Sequence, residues 1–182
     1  MILFINGPFG VGKTTVARLL VQIVRKMPRA MLYDPEVIGA VLRRIVGPFK
    51  QVKDYRDCGL WRRLVVGGAR LLRAVSGRTL VIPMTVYRRN AFDPIVAGLR
   101  RADPDLSCFR LTAPQDVLMD RISSDTGDRE ACSWRTSHVG ACLKAMCDPA
   151  FGTEIRTEGL ASAAVADQIL RNLPVTTGRS RS

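Results

Sequence analysis

Structural metal sites and disulfide frameworks are almost ruled out by what the sequence is short of. Its five cysteines (Cys58, Cys108, Cys132, Cys142 and Cys147) are odd in number and scattered, with no Cys-x-x-Cys pair, and His138 is the single histidine. A zinc module and a stapled secreted fold are therefore excluded. The cysteines are expected to be reduced, small core or surface residues. No run approaches about 18 consecutive apolar residues, so no transmembrane helix is expected. Residues 1–5 are apolar but follow no basic segment and meet a glycine turn at once, unlike a signal peptide. A cytoplasmic protein is expected.

Negative charge is the next shortage: 16 acidic residues face 28 basic ones, a net charge of +12. Such a balance suits nucleic acid, anionic membrane or phosphorylated ligands. The arginines, however, are dispersed as pairs such as Arg43-Arg44, Arg62-Arg63, Arg88-Arg89 and Arg100-Arg101. Aromatics make up only 6% and are not interleaved with them. Solvated helix faces account for this pattern, so no nucleic-acid partner is expected. At most, a weak peripheral attraction to anionic lipid remains.

What is present is an alternation of short apolar runs and helical patterns over 182 residues. One domain over residues 1–175 is expected, followed by a polar tail at 176–182. Strands are predicted at 1–5, 30–33, 79–84, 106–111 and 154–157. Helices are predicted at 13–27, 36–46, 88–101, 114–122, 141–146 and 161–170, with one or two more over 54–75. Gly67-Gly68 marks a kink there. Residues 123–130 are polar and without periodicity, and read as a mobile loop. Five strands alternating with helices imply a three-layer α/β sheet, mostly parallel, with helices on both faces.

The first strand runs into Gly7-x-x-x-x-Gly12-Lys13-Thr14, which opens an amphipathic helix. That is the setting a phosphate-binding loop requires. Glycines let successive backbone N–H groups face the phosphates, and the helix N-terminus adds partial positive charge. Lys13 is placed to reach the β/γ oxygens, and the Thr14 hydroxyl to ligate Mg²⁺. The expected nucleotide cradle is Gly7, Pro8, Phe9, Gly10, Val11, Gly12, Lys13, Thr14 and Thr15, with ATP and Mg²⁺ as cofactors.

Two further absences narrow the class. No Asn-Lys-x-Asp for guanine occurs, and the third strand, Thr79-Leu-Val-Ile-Pro-Met-Thr-Val86, carries no acid. The size, sheet pattern and polar loop instead suit a P-loop fold of the nucleotide-kinase type. In such kinases an arginine-bearing lid, here about residues 123–136, excludes water from the transfer. Arg121, Arg129 and Arg135 are the lid candidates by location, and Thr157-Glu158-Gly159 is expected beside the adenine.

Asp34 ends the second strand, on the edge where ligands bind in open α/β sheets. It can orient or deprotonate an acceptor hydroxyl, or it can simply cap the following helix from an Asp-Pro turn. Position alone leaves both open. A second acid for the Mg²⁺ shell is unassigned; Asp93 and Asp116 are the candidates.

Three further stretches carry a family resemblance. Tyr33-Asp-Pro-Glu-Val-Ile-Gly39 with Leu42-Arg43, Leu60-Trp-Arg62, and Val81-Ile-Pro-Met-Thr85 resemble the tunicamycin resistance protein family of P-loop kinase-like proteins. That family opens with the loop matched here by Ile5-Asn-Gly-Pro-Phe-Gly-Val-Gly-Lys-Thr14. The resemblance, with gaps, runs from Met1 to about the last helix. It implies an ATP-binding protein that protects bacteria from tunicamycin, a uracil–sugar antibiotic with a fatty acyl chain.

A complete phosphate loop, a carboxylate at Asp34 and a lid-like segment then lead to phosphorylation of a tunicamycin hydroxyl as the expectation. Sequestration of the drug without catalysis, and phosphorylation of another nucleoside-like molecule, are the alternatives. With the resemblance, Lys13, Asp34 and Arg121 become the catalytic candidates. Phe9, Asp34, Glu36, Arg43, Trp61 and Thr85 become candidates to line the acceptor pocket, with Trp61 equally readable as core.

Overall fold

The computed structural model describes residues 1–23, 30–35, 59–125 and 129–174, the side chains of 129 and 130 excepted. Its strands are β1 (Ile2–Asn6), β2 (Ala30–Leu32), β3 (Thr79–Met84), β4 (Leu106–Thr112) and β5 (Thr153–Arg156). Its helices are α1 (Lys13–Ile23), α2 (Gly59–Ser76), α3 (Arg89–Ala102), α4 (Gln115–Ser123), α5 (Arg129–Ala145) and α6 (Ser162–Arg171). The five strands form one sheet in the order β2-β3-β1-β4-β5, and every pairing is parallel. All carboxyl ends therefore share one edge.

β1 occupies the centre because nothing in it needs water; all five of its residues are buried. Side-chain alternation splits the interior into two layers. Leu3, Ile5, Val81 and Leu111 pack against Val16 and Leu20 of α1, Leu118 of α4 and Val165 and Ile169 of α6. Ile2, Phe4, Leu80, Ile82 and Met84 pack against Trp61 and Val65 of α2 and Phe92 and Ile95 of α3.

Pro83 lies within β3, where a proline would ordinarily break a ladder. Tyr33 N–H donates to Val81 O at 2.9 Å on the β2 side. Pro83, two residues on, turns the same way, beyond the point where β2 has left the sheet. Its missing N–H therefore deprives no strand of a partner.

Two helices differ from the expectation. α2 runs unbroken through Gly67-Gly68, where a kink was predicted. A Cβ on Gly68 would collide with the Tyr33 hydroxyl, so that glycine serves close packing. α5 begins at Arg129 rather than Ala141. Its polar sequence has no apolar stripe to announce it; among its described side chains only Val139 and Cys142 become fully buried. The predicted helix at 36–46, the start of the one at 54–75 and the tail at 176–182 lie outside the described residues.

A buried ion pair ties α2 to the end of α3. Asp103 accepts from Arg73 Nε at 2.5 Å and pairs with the chain's amino group at 2.8 Å. Burial pushes its carboxyl up, but these hydrogen bonds and one from the Asp105 amide outweigh it and hold the group below the usual carboxylate range.

Candidate functional site

The loop between β1 and α1 is anchored at its first residue. Asn6 is fully buried, and its Oδ1 accepts from Gly7 N–H at 2.9 Å and from Val86 N–H at 3.0 Å. Its Nδ2 donates to Val86 O at 2.9 Å. One side chain thus fastens the start of the loop to the chain leaving β3. Sequence reasoning missed this clamp, although Asn6 stood inside the quoted loop motif.

Gly10 and Gly12 have φ of 75° and 90°, the left-handed region that side chains resist. At Gly10 a Cβ would also press to 3.0 Å from Ile122. At Gly12 it would meet nothing within 4 Å, because it would project into open space. Such a cradle admits a ligand against bare backbone. Val16 N–H donates to Gly12 O at 3.0 Å, so the helix starts there and its preceding amides face the loop.

Lys13 is buried and donates to Pro8 O at 2.8 Å, laying its ammonium across its own loop. Thr14 is half-buried and Thr15 exposed. A cavity of about 210 Å³ opens beside Gly10, Val11 and Gly12, and its far wall is Arg121, Thr157, Leu160, Ser162 and Val165. Arg121 donates to Thr157 Oγ1 at 3.4 Å. Thr157 N–H is bonded in turn to Thr112 O at 2.8 Å, which fixes that turn to β4. Two stretches far apart in sequence, Arg121 and the turn after β5, thus line one cavity with the loop. Leu160, Ser162 and Val165 join them without any sequence signal.

Phe9 is buried and meets Trp134 of α5 edge-on, ring centroids 5.3 Å apart. Arg129 opens α5, and its side chain lies outside the described residues, as do Glu36 and Arg43. Arg135 pairs with Asp125 at 2.9 Å, both well exposed.

Asp34 is half-buried just past β2, on the same edge as the loop. Its position is set from below. The Tyr33 hydroxyl donates to Val65 O at 3.1 Å, and Trp61 Nε1 to Pro35 O at 3.4 Å. Trp61 is wholly inside the core. Burial pushes the Tyr33 phenol up to about 12, so it stays a neutral donor.

Thr85 is fully buried, and its hydroxyl has no hydrogen-bond partner among the described residues. Asp93 is engaged by Arg89 at 3.0 Å on the surface, and Asp116 is exposed in the first turn of α4. No cluster of three or more His, Cys, Asp or Glu residues occurs among the described residues.

No protein-family model and no curated protein matches the chain. Solved structures do. The tunicamycin resistance protein of Deinococcus radiodurans superposes with a TM-score of 0.72 at 24% identity, over 93% of each chain. A gluconokinase from Sinorhizobium meliloti gives 0.63 at 17% identity, over 94% of this chain and 90% of that one. A shikimate kinase from Acinetobacter baumannii, solved with shikimate, gives 0.63 at 20%, over 93% of this chain and 90% of that one. These likenesses establish the fold: this is an α/β chain of the P-loop, nucleotide-kinase-like type.

Proposed function

We propose that this protein is an ATP-dependent phosphotransferase whose acceptor is a hydroxyl of tunicamycin or a closely similar nucleoside antibiotic. One observation carries the reading: Lys13, Arg121 and Asp34 converge on one edge of a wholly parallel sheet. Asp34 follows β2 and the loop follows β1, with β3 between them. Two strand spacings are about 10 Å, which is room for a transferring phosphoryl group and the hydroxyl that receives it. The likeness in fold to a tunicamycin resistance protein and to two small-molecule kinases supports the choice of class.

The open space at Gly12, the anion-binding ammonium of Lys13 and the metal-ligating hydroxyl of Thr14 fit a magnesium-bound triphosphate. When bound, that group supplies the phosphoryl to be transferred and a divalent charge to neutralise it. The remaining work belongs to the chain. Lys13 leaves Pro8 O to bind the phosphate oxygens, and Thr14 offers its hydroxyl to the metal. Arg121 binds phosphate from the far side of the cavity. Asp34 takes the acceptor hydroxyl's proton or orients it, and Trp61 and Tyr33 hold that carboxylate in place. Phe9, Glu36 and Arg43 complete the acceptor side, and Arg129 acts from a lid over residues 123–136.

The reading entails one domain over residues 1–175 in the cytoplasm, where ATP is plentiful. No helix among the described residues is long and apolar enough to cross a membrane. Along α2, Leu60, Leu64, Leu71 and Val75 are exposed beside Arg63 and Arg70, which supports at most a weak contact with anionic lipid.

Incubation with Mg-ATP and tunicamycin tests the proposal, with mass spectrometry used to find drug heavier by one phosphate. No product while drug binding persists overturns catalysis in favour of sequestration. Product from other nucleosides but not from tunicamycin moves the acceptor to another molecule.

A further inference from the structure

We infer that the hydroxyl of Thr85 holds the water shell of the magnesium ion, at the place where the third strand carries no acid. This rests on the phosphotransferase reading and adds to it a group behind the metal's waters that the sequence left unassigned. Thr85 is buried at the carboxyl end of β3 with its hydroxyl unpartnered among the described residues. A buried hydroxyl is ordinarily satisfied, so an unsatisfied one at a functional edge points to a missing partner.

Its direction follows from the strand. Leu80, Ile82, Met84 and Val86 all enter the core beneath α2 and α3, while Val81 enters the core beneath α1. The alternation persists through Val86, which places Thr85 on the α1 side, the side of Lys13 and Thr14. Its height is also set: Asn6 is in register with Met84, and the Asn6 side chain binds both backbone groups of Val86. Thr85 is therefore held one strand away, about 5 Å, from the root of the phosphate loop.

The chemistry suits magnesium. The ion keeps several of its waters and is usually bound through few protein groups plus substrate phosphates. A hydroxyl can accept from, or donate to, a metal-bound water without adding charge. Asp93 and Asp116 cannot serve from where they stand, since one is paired at the surface and the other exposed on α4. With a neutral oxygen in place of a carboxylate, the metal is held chiefly by the nucleotide and binds with it.

The test measures binding of a fluorescent ADP analogue to the full chain, with and without magnesium. In Thr85→Val the affinity without magnesium should stay within about twofold of wild type, while the gain on adding magnesium falls about tenfold, the low end for loss of a group behind metal-bound ligands. Thr85→Ser keeps the hydroxyl and should keep the gain. The Val variant should melt no lower than wild type, because it removes an unpaired buried hydroxyl. An unchanged magnesium gain in Thr85→Val overturns the inference and leaves the phosphotransferase reading standing. A raised KM for the acceptor with an unchanged magnesium gain also overturns it and assigns Thr85 to the acceptor. Wild-type protein that binds no nucleotide overturns both.

Discussion

The phosphate loop and the Asp34 turn face each other across one sheet edge, yet they are held by different physics. The loop is shaped largely from within: Gly10 and Gly12 supply the left-handed dihedrals, and Lys13 crosses back to Pro8 O. Asp34 is shaped from outside, by Tyr33 and Trp61 reaching between β2 and α2. A site of the first kind is carried by a few adjacent residues. One of the second kind needs the whole lower core in place, so it should fail with the fold, whereas the loop should fail alone.

The sharpest way to break the loop side is Lys13→Ala. Transfer should fall about 10³-fold, the scale seen when a charge-stabilising donor is removed, with the melting temperature nearly unchanged. Asp34→Asn should lower transfer about 10²-fold, as loss of a general base does, while ATP affinity stays within a few-fold in a titration. Transfer that persists within a few-fold would make Asp34 a helix cap only.

Two glycines contrast the regions directly. Gly12→Ala carries a left-handed penalty of about 1–2 kcal/mol and fills the cradle, so nucleotide binding should be the property lost. Gly68→Ala overpacks against Tyr33, costing about 1–3 kcal/mol of stability, and the folded fraction should bind nucleotide normally. Thermal melts and nucleotide titrations on both variants separate the cases.

The smallest effect expected is on pH dependence, far from either region. Asp103 titrates below the ordinary carboxylate value in the folded chain. Its contribution is therefore complete above about pH 4, the unfolded value, and is lost as pH falls through the folded one. Asp103→Asn should flatten the stability profile in that acid range, as read by denaturant melts at several pH values, and leave nucleotide binding at neutral pH alone.

Legibility in the sequence followed the same divide. β1, the loop and α1 were readable because apolar continuity, glycine spacing and helical periodicity are local signals. α5 was misread up to residue 141 because its helix buries Val139 and Cys142 against the rest of the chain without an apolar stripe of its own. The helix continues through Gly67-Gly68, and the second glycine answers to the close approach of Tyr33. Of the acceptor candidates, Trp61 had two readings by sequence; its complete burial beneath Pro35 makes it a support for the turn.

The curl of the loop after β1 is written locally, since its left-handed dihedrals and the lysine that crosses it lie within residues 7–14. The sequence by itself determined the alternation of strands and helices too, through periodicity alone. Strand order was the decision of the tertiary structure. Packing β3 between β1 and β2 sets Asp34 two strand spacings from the loop and puts the Thr85 hydroxyl between them, and such distances come from burying two apolar layers on a common sheet, which no local pattern encodes.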